Sequence, residues 1–394
     1  MNVLALTLAL VLAQPSPEPV ARPADVAALQ QAVDEMLPSV AKVMGITPKR
    51  VEVRVLTKSA AMRKLREPMH SILSRDSIER FATAFKLIRL LPPATDLTRA
   101  AADGLTRNIV GFYDFADHVL YLRDDQPAVM QKMIIPHELA HALQDQKVGL
   151  LDLMRSAKTE DAQMAMLAAV EGNAEAVAER VMLSAAGDAK ARRKLMEDLI
   201  EASISGVVNE DDVSPYLTQQ GHFPYEAGAA LVKAVATRSD PTGVSLLTRV
   251  PTSTAQVLDP ALYKKAEQPK TGTLGLVKLL PGSESVFETV VGRANIELLG
   301  VGVGKGWRGD WLEVAKVGKT ACAAWVVAFN TPDQARRFAN IYAEWSGVAP
   351  NTRASAPNGR IIGVSYRGSV AVVLEQVPEG KADAVEEAAR QALH

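Results

Sequence analysis

Residues 136–146 read Pro136-His137-Glu138-Leu139-Ala140-His141-Ala142-Leu143-Gln144-Asp145-Gln146, and Val170-Glu171-Gly172-Asn173-Ala174-Glu175 follows further along the chain. Four residues advance an α-helix by about 400°, so His137 and His141 project one above the other on a single face. Two imidazoles stacked this way can share one metal ion, and Zn2+ at a catalytic site takes three protein ligands and leaves a fourth position open. Glu138 lies about 100° round the helix from His137. That offset sets its carboxylate beside the metal, where it can take a proton from a zinc-activated water as general base. Roughly one chance HExxH arises per hundred chains of this length and composition, so two incidental histidines on a solvated turn are the weaker reading. Pro136 marks the helix start in this reading and puts the first ligand at the helix end, where geometry is less tightly fixed.

The third ligand has few sources. Cys322 is the single cysteine and lies far along the chain, which also excludes an intrachain disulfide and any Cys-rich zinc module. His70, His118, His222 and His394 fall outside the helix that follows the pentapeptide. Glu171 is the better candidate, because two antiparallel helices joined by a loop would bring it against the histidine pair, with Gly172 and Ala174 small enough to let them approach. Glu175 falls on the same face one turn later, suited to accept a hydrogen bond from a ligating imidazole and fix its tautomer. A surface carboxylate is the plain alternative for each. The expected metal set is therefore His137, His141 and Glu171 holding Zn2+, with Glu175 behind it.

If the metal-activated water attacks a carbonyl, a donor is also needed for the oxyanion that develops on it. Tyr225 and His222, in Gly221-His222-Phe223-Pro224-Tyr225, read as sitting in a loop that enters a helix, next to an acid- and polar-rich loop at about residues 209–221. Tyr225 is preferred, since a neutral phenol donates at every working pH; a packing aromatic and an exposed loop residue are the plain alternatives. His118 reads as structural or exposed, and His70 and His394 carry no positional signal.

The rest of the chain frames this site. Its 394 residues are enough for two domains. Forty-four Lys and Arg balance forty-five Asp and Glu, which argues against a nucleic-acid binder that neutralises phosphates. Residues 1–13 form an apolar run too short to span a bilayer and ending in Val11-Leu12-Ala13, read as an export signal; residues 14–23 form a Pro-rich linker. No stable membrane span is expected after signal cleavage. Residues 24–282 are expected to form a mainly helical domain with a small sheet. Within it, Val51–Val55 is a strand, Ser77–Leu91 a helix, and Ile109–Phe115 with His118–Leu122 a hairpin. Ser253-Thr254-Ala255-Gln256 has capping-box spacing. Lys190, Arg192, Arg193 and Lys194 read as a solvated helix face, and Gly302, Gly304 and Gly306 as a turn between domains. Composition shifts after Pro281-Gly282, and residues 283–394 read as a separate α+β domain in ββαββα order, an open sheet with helices on one face. Its strands are 311–317, 321–329, 361–366 and 370–376, its helices 331–345 and 381–393, and Cys322 is a buried small hydrophobe.

The sequence HELAHALQDQ followed by VEGNAEA resembles a gluzincin-type zinc metallopeptidase. More narrowly, Gly111-Phe112-Tyr113-Asp114, Phe223-Pro224-Tyr225-Glu226-Ala227-Gly228 and the run from Val250 to Pro260 resemble an uncharacterised bacterial exported metallopeptidase-like family, over about residues 105–265 and weakly through Gly306–Asp310. The resemblance implies an α+β, zincin-like fold in which an edge strand, from 109–115 or 118–122, binds extended peptide. The resulting expectation is an exported metalloendopeptidase, periplasmic or secreted, monomeric or loosely associated, acting on a peptide or protein. The alternatives are a non-proteolytic zinc-fold protein that binds a peptide or cell-envelope partner, and an enzyme on a non-peptide amide.

Overall fold

Helix α3 (Ala128–Val148) carries the pentapeptide and is buried nearly all round from Ile135 to Asp145, with only His141 partly open. A helix apolar on every side has neighbours on every side, and the chain supplies them. Residues 23–61, 63–64, 75–97, 111–125, 128–185 and 214–393 are described in a computed structural model. In chain order, α1 (Pro23–Met44), β1 (Glu52–Leu56), α2 (Arg75–Leu87), β2 (Gly111–Asp114) and β3 (Val119–Arg123) precede α3. After it come α4 (Glu160–Ala185) and α5 (Pro215–Val235). The export signal, most of the linker, the 190–194 cluster, His70, His394 and residues 209–213 lie outside the described residues. No helix among the described residues is long and apolar enough to cross a membrane.

The first sheet has the order β1-β3-β2, β1 parallel and β2 antiparallel to β3. β3 is buried throughout its length. It is therefore the central strand, so residues 118–122 supply no edge; β2 does, and it lies against α3. Leu120 and Leu122 of β3, Leu139 and Leu143 of α3, Val40 of α1 and Met164 of α4 share one apolar core.

The second sheet holds β4 (Ser283–Thr289), β5 (Trp307–Val317), β6 (Thr320–Phe329), β7 (Thr352–Ala356), β8 (Arg360–Arg367) and β9 (Val370–Pro378) in the order β4-β5-β6-β9-β8-β7, with every pairing antiparallel. Helices α6 (Pro332–Ser346) and α7 (Ala382–Gln391) cover it. They lie on opposite faces, contrary to the one-sided arrangement expected. Trp325 and Val327 of β6 pack with Phe338 and Tyr342 of α6, whereas Cys322, Ala324 and Val326 pack with Val385 and Ala389 of α7. A strand apolar at consecutive positions is one buried on both faces. Cys322 is indeed buried. The edge strands β4 and β7 escaped the sequence reading because SESVFET and TRASA lack a clean apolar alternation; ladder pairing forms them.

The composition change near Pro281-Gly282 is a change of architecture without a break in packing. Phe81 and Phe85 of α2 stack at 4.1 Å, meet Phe287 of β4 and Tyr216 of α5, and belong to the same core as Trp325 and Phe338. α2 stops short of Leu91 where Arg89 turns left-handed (φ 65°) and sets its guanidinium on Glu375 with two 3.2 Å bonds.

Two further expectations change. Pro136 lies inside α3, with two helical turns before it, so His137 is held within a helix rather than at its end. Proline there forfeits the hydrogen bond to the carbonyl four residues back, and burial of the surrounding turns offsets that loss. Residues 215–221 belong to α5, which runs unbroken through Gly221 and Pro224, so His222 and Tyr225 sit on a helix and not in a loop. Tyr216, Gln220, Phe223, Leu231 and Val232 are buried at helical spacing, and packing overrides the two poor helix formers.

Buried acids tie these parts together. Asp161, in the first turn of α4, accepts the Thr254 backbone N–H at 2.9 Å and the Thr254 hydroxyl, whose oxygen accepts the Ala294 N–H at 3.0 Å. Asp310 accepts the Val291 and Gly292 N–H groups at 2.7 and 2.9 Å and the Trp307 and Trp325 indoles at 2.9 and 3.3 Å. Burial pushes Asp161 up to about 7, with the Asp310 charge adding to it, and pushes Asp310 up to about 6. Above about pH 4 the folded chain thus holds a proton on Asp161 that the unfolded chain has lost. The associated stabilisation is full below about pH 4 and gone once the pH has risen through about 7. Denaturant unfolding is expected to show stability falling between about pH 4 and pH 7, and Asp161→Asn to remove part of that slope; a slope unchanged in the variant would show that Asp161 is ionised throughout.

Candidate metal centre

The helical spacing of His137 and His141 brings their Nε2 atoms to 3.1 Å, with the rings at 86° to each other. α4 passes alongside and presents Glu171, whose Oε2 lies 3.4 Å from each Nε2. These three side chains are the group among the described residues that could hold a metal ion. His137 is 8% exposed, and Glu171 Oε2 is buried with no hydrogen-bond donor. A buried carboxylate oxygen without a donor is costly unless a positive charge faces it.

The titration behaviour expresses the same demand. Burial works against a charge on His141, but the Glu171 carboxylate outweighs it and raises the imidazole to about 9. Burial likewise opposes ionisation of Glu171, yet the two imidazoles hold its carboxyl far below the usual range. The carboxylate and the imidazoles thus favour each other's charged forms, an arrangement that suits positive charge beside Glu171.

Glu138 stands apart from the trio, as its 100° offset requires. One carboxylate oxygen accepts the Tyr113 backbone N–H of β2 at 2.8 Å, and burial raises its pKa, with the neighbouring imidazoles opposing. Glu175 reaches His137 Nδ1 at 3.5 Å, an ion-pair separation rather than the closer hydrogen bond expected.

The side chain that orients His141 escaped the sequence reading. Its Nδ1 lies 2.8 Å from Gln144 Oε1. An amide oxygen only accepts, so Nδ1 carries a proton, and in the neutral imidazole it is Nε2 whose lone pair faces the trio. Gln144 is completely buried and donates to the Val170 carbonyl and to Asn173 Oδ1, both at 2.9 Å; Asn173 donates to the Thr242 carbonyl at 2.7 Å. The available signal was a glutamine one turn after His141, on the helix face that carries both histidines.

Tyr225 arrives from α5. Its ring lies 6.4 Å from that of His137 at 26°, and its phenol pKa is pushed well above 10 by the Glu171 charge first and burial second, with a hydrogen bond to Glu171 contributing. The hydroxyl is thus a neutral donor, while the residue keeps 42% of its surface exposed. His222 is half exposed, and its nearest acidic partner is Glu226 at 3.8 Å; it is not brought to the trio. His118 is exposed and bonded to Asp145.

The small residue beside Glu171 serves a different pair of helices from the one expected. A Cβ on Gly172 would stand 2.3 Å from the Gly228 carbonyl carbon, and one on Gly228 would stand 2.2 Å from the Ala168 oxygen. Gly172 therefore lets α4 and α5 meet backbone to backbone, and this crossing carries Tyr225, three residues before Gly228, over Glu171.

Searches of protein-family models, of curated proteins and of solved structures find no match to this chain.

Gln144→Leu is expected to weaken metal binding by about 10- to 100-fold, measured by chelator competition, with the helical circular dichroism unchanged. Gly172→Ala is expected to cost about 1–3 kcal/mol of stability in denaturant unfolding, since backbone atoms must move to admit the methyl group.

Proposed function

We propose that the chain is a zinc-dependent peptidase in which His137, His141 and Glu171 hold Zn2+. The observation that carries this reading is the donor triangle. Ligands about 2.0–2.2 Å from a tetrahedral zinc stand about 3.3–3.6 Å apart, against 3.1, 3.4 and 3.4 Å here. Two nitrogens and one carboxylate oxygen are also a zinc donor set that leaves one position open. The orphaned Glu171 oxygen is a further support, because a divalent cation supplies the charge it lacks.

Bound Zn2+ supplies Lewis acidity, polarising a carbonyl and making water acidic enough to lose a proton near neutral pH. Glu138 is buried beside the ligands without being one, which suits it to take that proton and hand it to the leaving amine. Tyr225 can donate its hydroxyl to the oxyanion, at the rim of the site and open to solvent. The outer edge of β2, apart from the Tyr113 N–H taken by Glu138, offers backbone groups to an extended segment of substrate. The apolar run at residues 1–13 supports action outside the cytoplasm.

Glu138→Gln is expected to retain one zinc per chain by elemental analysis and to lower cleavage of a broad peptide library by at least about 100-fold. Loss of the metal in this variant would show that Glu138 is a ligand. Stoichiometric zinc in a wild-type chain that cleaves no peptide would overturn the peptidase reading in favour of a binding module.

A further inference from the structure

We infer that Tyr113 and Asp145 form a two-point clamp that fixes the position of the Glu138 carboxylate. The catalytic consequence rests on the peptidase reading above. Tyr113 is in β2, and its residue is held by α3 at both ends. Its backbone N–H donates to Glu138 Oε2 at 2.8 Å, and its hydroxyl donates to Asp145 Oδ2 at 3.0 Å. Glu138 and Asp145 are seven residues apart, two helical turns, and so lie along one stripe of α3. That stripe differs from the one carrying His137, His141 and Gln144.

The geometry is constrained from several sides. Tyr113 faces Leu120 across the hairpin, and its N–H is given to Glu138, so it points off the outer edge of β2. Asp145 is buried and its other oxygen accepts the Leu150 N–H at 2.8 Å. His118 closes the hairpin turn in a left-handed conformation (φ 58°) and adds a 2.8 Å bond to Asp145 Oδ2. Asp145 therefore accepts three donors, two of them from the hairpin, and cannot shift without moving β2. With the Tyr113 side chain tethered, the strand cannot slide along α3, and the amide that holds Glu138 stays in place. A single backbone bond to an edge strand would leave that carboxylate free to follow the strand's fluctuations, and a misplacement of about 1 Å costs about 100-fold in rate. Tyr113 and Asp145 act through Glu138, so they are positioning residues.

The test is Tyr113→Phe, which removes the hydroxyl and keeps both the backbone N–H and the ring, with Asp145→Asn as a second variant should the first fail to fold. The expected result for zinc-loaded protein has three parts. Zinc stoichiometry is unchanged, kcat for peptide cleavage falls about 10- to 100-fold with KM within about twofold, and hydrogen exchange of the residue 113 amide accelerates relative to the amides of β3. A merely structural role would lower the melting temperature and leave kcat per bound zinc and the relative exchange of this amide unaltered; that result overturns the clamp, as does a change in only one of the two. If the wild-type chain cleaves no peptide, the peptidase reading fails separately, and the residue 113 amide still decides: acceleration in the variant supports the clamp and an unaltered rate overturns it.

Discussion

The Glu171 carboxylate sits inside the protein with one oxygen lacking any donor and two imidazole nitrogens 3.4 Å away. Leaving such a group uncompensated costs several kcal/mol, so much of the surrounding architecture follows from keeping the three donors together. The imidazoles must share a face, which a helix supplies at a spacing of four. The carboxylate must come from a second helix close enough to reach both, which α4 supplies. The phenol of Tyr225 comes from a third, and the Gly172–Gly228 contact removes the side chains that would hold α5 away. A buried charge thus dictates how closely three helices pack.

α3 serves this arrangement with two stripes. His137, His141 and Gln144 face α4, where Gln144 fixes the His141 tautomer and passes its own hydrogens to α4 through Val170 and Asn173. Glu138 and Asp145 face β2, where both are bonded to Tyr113. The proposed metal ligands and the proposed general base are separated by about 100° of one helix and are supported by different neighbours. This accounts for burial on every side of α3 and for the absence of a simple amphipathic period in its sequence.

Away from the site, the fold tolerates acids in its interior by crowding backbone donors onto them. Asp310 collects two amides and two indoles, and Asp161 collects the amide and hydroxyl of Thr254. These bonds join the first turn of α4 to the segment leading into the second sheet. With the Phe81, Phe85 and Phe287 stack they make a shared interior across the point where the composition changes.

Local periodicity determined a good deal by sequence alone. A spacing of four placed both histidines on one helix face, the offset of one separated Glu138 from them, and EGNAE marked a second helix with a carboxylate toward the pair. Strands β2, β3, β5, β6, β8 and β9 and helices α6 and α7 followed from apolar runs and turn residues, because those signals act over a few neighbouring positions. What depends on residues distant in the chain was not legible. Whether Pro136 and Gly221 end a helix is decided by the packing around them, and β4 and β7 exist because a neighbouring strand pairs with them. The second sheet is covered on both faces because β6 is buried on both. Gln144, Asn173, Tyr113 and Asp145 gain their roles only from the groups they face, since a hydrogen bond of 2.8 Å is set by where two backbones meet. The sequence determined which functional groups the chain carries; the tertiary structure decided which of their atoms are held together, because those contacts join residues distant in the chain.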